Sequence, residues 1–172
     1  GCVLDGGGDL VFLRTGFFNV GSQETDGIDV KIDYRLDTAK LGTFKLFASG
    51  TKTFNYERQI TPDSAKEDLL GKLSGANEIA RPDFVADFGT DWELNNWRAS
   101  LSAHYISELG DGDFKFGGNE TVDAWLVFSG SLGYDISDNQ SLLLSVRNLT
   151  DEKPPYASSP TNGYASSVHD WI

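Results

Sequence analysis

Apolar and charged side chains alternate without interruption between Ile28 and Asp37, where the sequence reads Ile-Asp-Val-Lys-Ile-Asp-Tyr-Arg-Leu-Asp. Successive side chains of a β-strand point to opposite faces, whereas a helix repeats about every 3.6 residues, so this period of two excludes a helix. Less extended versions of the pattern recur at residues 44–48, 84–94, 97–105, 124–136 and 142–146, and a less regular strand lies around Leu10 to Val20. The sequence therefore predicts an all-β protein of about seven strands.

The connections between these strands are alternately short and long. The short ones are Asp37–Gly42, Asn95–Asn96 and Ser137–Gln140, and the long ones are Gly21–Gly27, Gln59–Pro82, Leu109–Thr121 and the segment from Asp151 onwards. In an antiparallel up-and-down meander, odd and even connections lie at opposite ends, so one end is trimmed and the other is elaborated. Outer-membrane barrels have this asymmetry, and their strands of about 9–11 residues exceed the globular mode of about 5–6. A soluble antiparallel sheet with one apolar face is the alternative.

Composition excludes several other classes. The chain has 172 residues and a net charge of −12, and a surface this acidic repels a nucleic-acid backbone. Its single Cys cannot form an internal disulfide, and no apolar run is long enough for a transmembrane helix. No motif of a nucleophile, a phosphate loop or a zinc site occurs, so we expect neither an enzyme nor a bound metal or cofactor. Because no Met occurs, we expect a fragment or a processed product.

Two motifs resemble a known family. The stretch Leu142-Leu-Leu-Ser-Val-Arg-Asn-Leu-Thr-Asp-Glu-Lys-Pro-Pro155 resembles the penultimate strand of TonB-dependent outer-membrane receptors, which ends in Asn-Leu-x-Asp-x-x-Pro-Pro. The segment Phe18-Asn-Val-Gly-Ser-Gln-Glu-Thr-Asp-Gly-Ile-Asp29 resembles the hairpin of that family in which Asn-x-Gly leads to Thr-x-Gly-Ile-Asp. The two matches together span nearly the whole chain.

The resemblance implies an open part of a β-barrel of about 22 strands with a plugged lumen. It further implies that residues 1–172 are a C-terminal segment, without the plug domain and the final strand. The parent would sit in the outer membrane of a Gram-negative bacterium and import a ferric siderophore, haem, cobalamin or an oligosaccharide with energy from TonB. Its partners would be membrane lipid, TonB and the small-molecule substrate, and it would bind no nucleic acid. A soluble β-sheet binding module or small barrel for an apolar ligand is the alternative function.

Ligand contact is expected at the elaborated end, where aromatic rings and Arg side chains bind large amphipathic molecules. The predicted ligand-binding residues are Tyr56, Arg58, Tyr105, Trp125, Tyr156 and Tyr164. Each aromatic among them is also an ordinary residue for the aromatic girdle of a barrel. Comparison with the family suggests that Cys2 pairs with a Cys outside this chain, and a free thiol is the alternative.

Two structural expectations complete the prediction. Ile28, Val30, Ile32, Leu101, Leu126, Leu142 and Leu144 should be exposed on one face, with Asp33, Lys45, Arg98 and Arg147 on the other. The stretch from Ser64 to Leu73 places leucines at spacings of three and four behind residues that cap helices, so it predicts a short helix in the connection 59–82.

Overall fold

A computed structural model describes residues 2–4, 10–13, 21–73, 81–111 and 121–155. Every regular element in these ranges is a strand. No helix among them is long and apolar enough to cross a membrane.

Twelve strands follow one another along the described chain. They are β1 (Cys2–Leu4), β2 (Leu10–Leu13), β3 (Ser22–Thr38), β4 (Gly42–Gln59), β5 (Glu67–Asp68), β6 (Lys72–Leu73), β7 (Phe84–Leu94), β8 (Trp97–Ile106), β9 (Leu109–Asp111), β10 (Thr121–Val122), β11 (Trp125–Ser137) and β12 (Gln140–Val146).

The main sheet contains the six long strands, each paired antiparallel with its neighbour in the order β3-β4-β7-β8-β11-β12. Within the described residues β3 and β12 do not pair with each other, so the sheet is open. The prediction of an antiparallel all-β meander is thereby confirmed. The strand predicted around Leu10 to Val20 corresponds to β2, which pairs with β1 in a separate hairpin, and residues 14–20 lie outside the described ranges.

Every second residue along a strand points to the same face, and directly paired residues on neighbouring strands share a face. The register therefore assigns each residue of the sheet to one of two faces. One row runs Ile32–Ala48–Phe88–Ala103–Phe128 across five strands. We call the side that carries this row the apolar face and the opposite side the polar face. Ile28, Val30, Ile32, Leu101, Leu142 and Leu144 are exposed on the apolar face as predicted, by 47% to 66%, while Leu126 is half-buried.

Aromatic residues gather on the apolar face where the short turns connect the strands. The rings of Trp97 and Tyr134 lie 4.5 Å apart, and the Trp92 indole N–H donates to the Leu41 carbonyl at 2.7 Å. Aromatic side chains of this kind form the interfacial girdles of membrane barrels. We call this end of the sheet the turn end and the opposite end the mouth end.

The hairpin formed by β3 and β4 is longer than predicted. Gly21–Gly27 was expected to be a loop, but β3 begins at Ser22, and residues 22–26 pair with residues 55–59 of β4. That prediction is wrong because polarity alone does not end a strand. Beyond the apolar band, solvent reaches both faces of this hairpin, so apolar and polar residues no longer alternate although the backbone pairing continues. A bulge between Asp26 and Gly27 marks the transition.

The predicted helix at residues 64–73 is also wrong. This stretch forms β5, a turn and β6 instead. The backbone N–H of Leu69 donates to the Tyr56 carbonyl at 2.9 Å, so the segment takes its hydrogen bonds from β4. An isolated helix of this length is marginal, and Gly71 has φ +64°, which lies outside the helical region. Pairing with an available strand edge therefore prevails over the local leucine spacing.

Candidate ligand-binding mouth and polar face

Cationic side chains on the polar face are paired with carboxylates from the same sheet. Lys45 Nζ lies 2.8 Å from Glu93 Oε1, and Arg98 Nη2 lies 2.6 Å from Asp135 Oδ1. Arg35 and Lys31 pair with Asp37 and Asp33 at 3.0 and 3.4 Å. These pairs are largely exposed here, where each contributes little to stability, and they would gain strength if another element covered the polar face and excluded water.

His104 lies in the middle of the polar face, as its position in the alternation predicts. Its Nδ1 is 2.6 Å from Asp87 Oδ1. Asp29 on the neighbouring part of the sheet accepts the Thr51 hydroxyl at 2.5 Å. No group of three or more potential metal-ligating residues occurs in the part of the chain that the structure describes.

The apolar face ends at the mouth end with Lys52, which pairs with Ile28 and Phe84. Its ammonium group hydrogen-bonds to Asp83, and the Ser107 hydroxyl donates to the same carboxylate at 2.6 Å. The hydrogen bond from Lys52, with that from Ser107, holds the pKa of Asp83 below its usual range. A charged group just beyond the apolar band is expected at a membrane interface, where a Lys stem stays apolar and its head reaches water.

Beyond Lys52 at the mouth end, two long connections add β5 to the edge of β4 and form a separate three-stranded sheet of β6, β9 and β10. In the connection between β4 and β7, β5 pairs with β4 through Glu57 and Arg58, and β6 follows. In the connection between β8 and β11, β9 pairs antiparallel with β10 and parallel with β6. We call this assembly, residues 61–73 with Leu109–Asp111 and Thr121–Val122, the upper wall.

Buried apolar residues concentrate at the base of the upper wall. Ile106, Trp125 and Val127 form a cluster with each side chain 3% exposed, and Val85 packs against it. By register these residues belong to the polar face, in line with Asp29 and His104. Leu69, Leu109 and Val122 of the upper wall are 1–2% exposed. The mouth end thus has a small core of its own, on the side of the sheet that is otherwise polar.

Three of the predicted ligand-binding residues come to the polar face at the mouth end. Tyr56 and Arg58 pair with Thr25 and Gln23, and Trp125 pairs with Ile106. Trp125 is buried in the cluster, whereas Tyr56 and Arg58 are half-buried. The structure does not test ligand contact at any of them.

The remaining predicted residues lie elsewhere. Tyr105 pairs with Leu126 on the apolar face, and its ring centroid is 5.9 Å from that of Phe84, as expected for a girdle residue. Tyr156 and Tyr164 are outside the described residues. Cys2 begins β1, but the structure does not describe its side chain, so the predicted disulfide stays a prediction.

Sequence reasoning missed Arg81 and Lys66. The Arg81 guanidinium lies over the Tyr56 ring, 4.3 Å from its centroid, which is a cation–π arrangement. Lys66 Nζ lies 3.1 Å from Glu24 and 3.3 Å from Glu57, and hydrogen bonds to these two carboxylates raise the pKa of Lys66. Tyr56 is 25 residues from Arg81 in the sequence, and Glu24 is 42 residues from Lys66, so no local pattern could have shown either pairing.

The motif that begins at Asn148 has a structural explanation. The Asn148 side chain accepts the Glu152 N–H at 2.8 Å and donates to the Glu152 carbonyl at 2.9 Å. Asn148 and Asp151 both have positive φ, near +51°, a conformation that Asn and Asp adopt more readily than most residues. Leu149 extends over Gly130 of β11 on the apolar face. The motif therefore ends β12 in a tight loop that is held by its own Asn148 side chain and by β11, since the Leu149 N–H donates to the Phe128 carbonyl at 2.7 Å.

Comparison with known proteins agrees with this architecture. The model of the family described as TonB dependent receptor-like, beta-barrel, matches residues 2–149. The chain belongs to the TonB-dependent receptor family. The resemblance inferred from the two motifs is thereby confirmed, and the open meander is part of a receptor barrel. No curated protein and no solved structure matches the chain.

Membership in the TonB-dependent receptor family sets the coarse function. The family consists of outer-membrane transport receptors of bacteria, which are not enzymes. It also explains the exposed apolar face: in a membrane barrel this face meets lipid, while the charged face points into the lumen. A soluble binding module would instead cover its apolar face with a second layer of protein.

Proposed function

We propose that this chain is the C-terminal segment of a barrel whose parent receptor binds a scarce nutrient at the mouth end and imports it with energy from TonB. The plug domain and the final strand would be supplied by parts of the parent outside these 172 residues. The observation that carries the proposal is the asymmetry of the sheet. The strands are joined by short hairpin turns at the turn end, whereas at the mouth end they are joined by long connections with strands of their own and a small core. An elaborated end suits ligand capture from outside the cell.

The substrate is a ferric siderophore, haem, cobalamin or an oligosaccharide, molecules that are large and amphipathic. Tyr56 and Arg58 support capture of such a ligand because both lie on the lumen side of the mouth end and keep part of their surface accessible. Trp125, Tyr156 and Tyr164 complete the proposed contact set, and contact with Trp125 requires access to a side chain that is buried here. Tyr105 lies on the apolar face, which would meet lipid, so it is left out of the set. Cys2 is proposed to pair with a Cys of the parent outside this chain.

The polar face supports contact with a plug domain. Its Lys and Arg side chains are paired with carboxylates, either between neighbouring strands, as Lys45 is with Glu93, or along one strand, as Arg35 is with Asp37. Such a face offers a polar wall against which a folded plug can form further hydrogen bonds and water-mediated contacts. TonB would act through that plug and would not contact this chain directly.

Uptake by cells that express the full-length receptor tests the function. Radiolabelled ferric siderophores, haem, cobalamin and maltooligosaccharides are offered in turn to a strain that lacks its other receptors for these nutrients. We expect accumulation of one class, lost when TonB is deleted. Accumulation of none of them, or accumulation that persists without TonB, would contradict the proposal.

A variant pair tests the ligand site. The double variant Tyr56→Ala/Arg58→Ala should weaken binding of the imported substrate to whole cells by about tenfold or more, as expected for loss of an aromatic and an Arg contact. Tyr34→Ala is the matched control, because Tyr34 is 58% exposed but lies on the apolar face towards the turn end. Equal affinities of the two variants would remove Tyr56 and Arg58 from the site.

A further inference from the structure

The two connections that form the upper wall are joined through their backbones. The Gly110 N–H of β9 donates to the Gly71 carbonyl at 2.7 Å, and the Gly71 N–H donates to the Arg81 carbonyl at 2.8 Å. Lys72 and Gly110 are direct partners in the parallel pairing of β6 with β9. The first connection is therefore hydrogen-bonded to the second as well as to its own barrel strands.

In the residues that the structure describes, neither connection has enough regular structure to fold alone. Its strands are two or three residues long, and strands this short are not stable without other elements to pack on. The most deeply buried side chains come from both connections: Leu69 belongs to the first, while Leu109 and Val122 belong to the second. Leu69 is two residues from the Gly71–Gly110 hydrogen bond and Leu109 is one residue from it. The burial in each connection is thus located at the junction between them.

We propose that the upper wall is one cooperative unit, so that its residues from the first connection and its residues from the second lose their hydrogen bonds together and not independently. This inference does not depend on the identity of the substrate or on transport. Cooperative units of this kind lose their hydrogen-exchange protection as a whole when any buried contact in them is removed.

The unit is fixed to the barrel on two sides. On one side β5 pairs with β4, the Leu69 N–H donates to the Tyr56 carbonyl, and Lys66 bridges Glu24 and Glu57. On the other side β9 and β10 lie two residues from the ends of β8 and β11. Because the ends of the unit are tied to different barrel strands, it forms a fixed section of the mouth. Any movement that admits a ligand would then occur in other parts of the receptor.

Hydrogen exchange on the full-length receptor tests the coupling. Leu109→Ala removes buried surface from the second connection only, and Glu108→Ala is the control, because Glu108 is its exposed neighbour. We expect Leu109→Ala to speed exchange at the amides of Leu69 and Gly71, in the first connection, by about tenfold or more, since a buried Leu truncation is costly. Faster exchange confined to the second connection would overturn the proposal. Val122→Ala serves the same purpose if Leu109→Ala does not assemble.

A cross-link provides an independent measurement. In a Cys2→Ser background, Lys72→Cys and Gly110→Cys place two thiols at directly paired positions, and a Cβ added at Gly110 meets only the Gly71 oxygen, at 3.5 Å. A single cooperative unit predicts nearly complete disulfide formation in intact cells, with exchange in the unit unchanged or slower. If cross-linking in cells is incomplete and hydrogen exchange is fast in one connection but not in the other, the connections move independently and the inference is refuted.

Discussion

Placing an arginine on the apolar face should destabilise the barrel by an amount that depends on depth. Leu144 lies two residues beyond Leu142, which pairs with the girdle residue Tyr134. Two residues advance a strand by about 7 Å, or about 5 Å in height at a tilt of about 45°. The midplane of an apolar band about 25 Å tall is about 12 Å from its edge. Leu144 is therefore about two fifths of the way from the interface to the midplane.

Arginine on the lipid face costs about 0–1 kcal/mol near the interface and about 2–4 kcal/mol at the midplane, so interpolation gives about 1.5 kcal/mol for Leu144→Arg. Leu101, four residues beyond the girdle residue Trp97 on β8, lies about 10 Å above the girdle and should lose about 2.5 kcal/mol as Leu101→Arg. Ser145→Arg is the matched control: Ser145 is the exposed neighbour of Leu144 on the polar face and should lose less than about 0.5 kcal/mol.

Equilibrium unfolding in urea of the full-length receptor, folded into phospholipid vesicles, measures these differences in the free energy of unfolding. The order Leu101→Arg, Leu144→Arg, Ser145→Arg, from most to least destabilised, follows from the assignment of faces. If Leu144→Arg and Ser145→Arg agree within about 0.5 kcal/mol, the apolar face does not meet lipid and the reasoning fails.

Three further predictions concern local structure. Gly42 has φ +83° and a Cβ there would strike a β7 carbonyl, so Gly42→Ala should lower the free energy of unfolding by about 1–3 kcal/mol. Gly133→Ala should change it less, because the nearest atoms to a Cβ there are 3.7 Å away, and equal losses would contradict this. The hydrogen bond to Lys52 depresses the pKa of Asp83. The folded state therefore gains stability above the ordinary Asp pKa of about 4 and loses it as the pH falls below that value. Asp83→Asn should flatten the dependence of the melting temperature on pH in the acid range. Asn148→Ala should expose the loop that ends β12 to proteolysis, and an unchanged cleavage rate would show that its amide is dispensable.

The long strands could be predicted because the membrane makes the same demand at every second residue. Lipid requires an apolar side chain at each outward position from Ile28 to Leu36, and the lumen tolerates charge at each inward one, so the period of two is unbroken. The tight turns could be predicted for a related reason. Asn95, for example, has φ +51° in the turn between β7 and β8, and Asn is among the few residues that accept this conformation.

Outside the membrane that demand ends, and sequence reasoning became unreliable there. Residues 22–26 remain in β3 although they are polar on both faces, since water solvates each side equally. Leu69 and Leu73 have helical spacing, yet the edge of β4 beyond the end of β7 offered a hydrogen-bonding partner that no local pattern reveals. The outcome depended on a strand edge left open by the different lengths of two neighbouring strands.

One signal for the mouth core was present in the alternation itself. Val85, Ile106 and Val127 occupy polar-face positions of their strands, where Asp87 and His104 are the neighbours that the lumen would favour. Three apolar residues at polar positions, all at the mouth ends of adjacent strands, indicate that protein covers the polar face there. Ile106 and Val127 are each only 3% exposed, so other parts of the protein do cover their side chains. Interruptions of a barrel pattern that coincide across neighbouring strands therefore mark a stretch of the lumen side that protein covers.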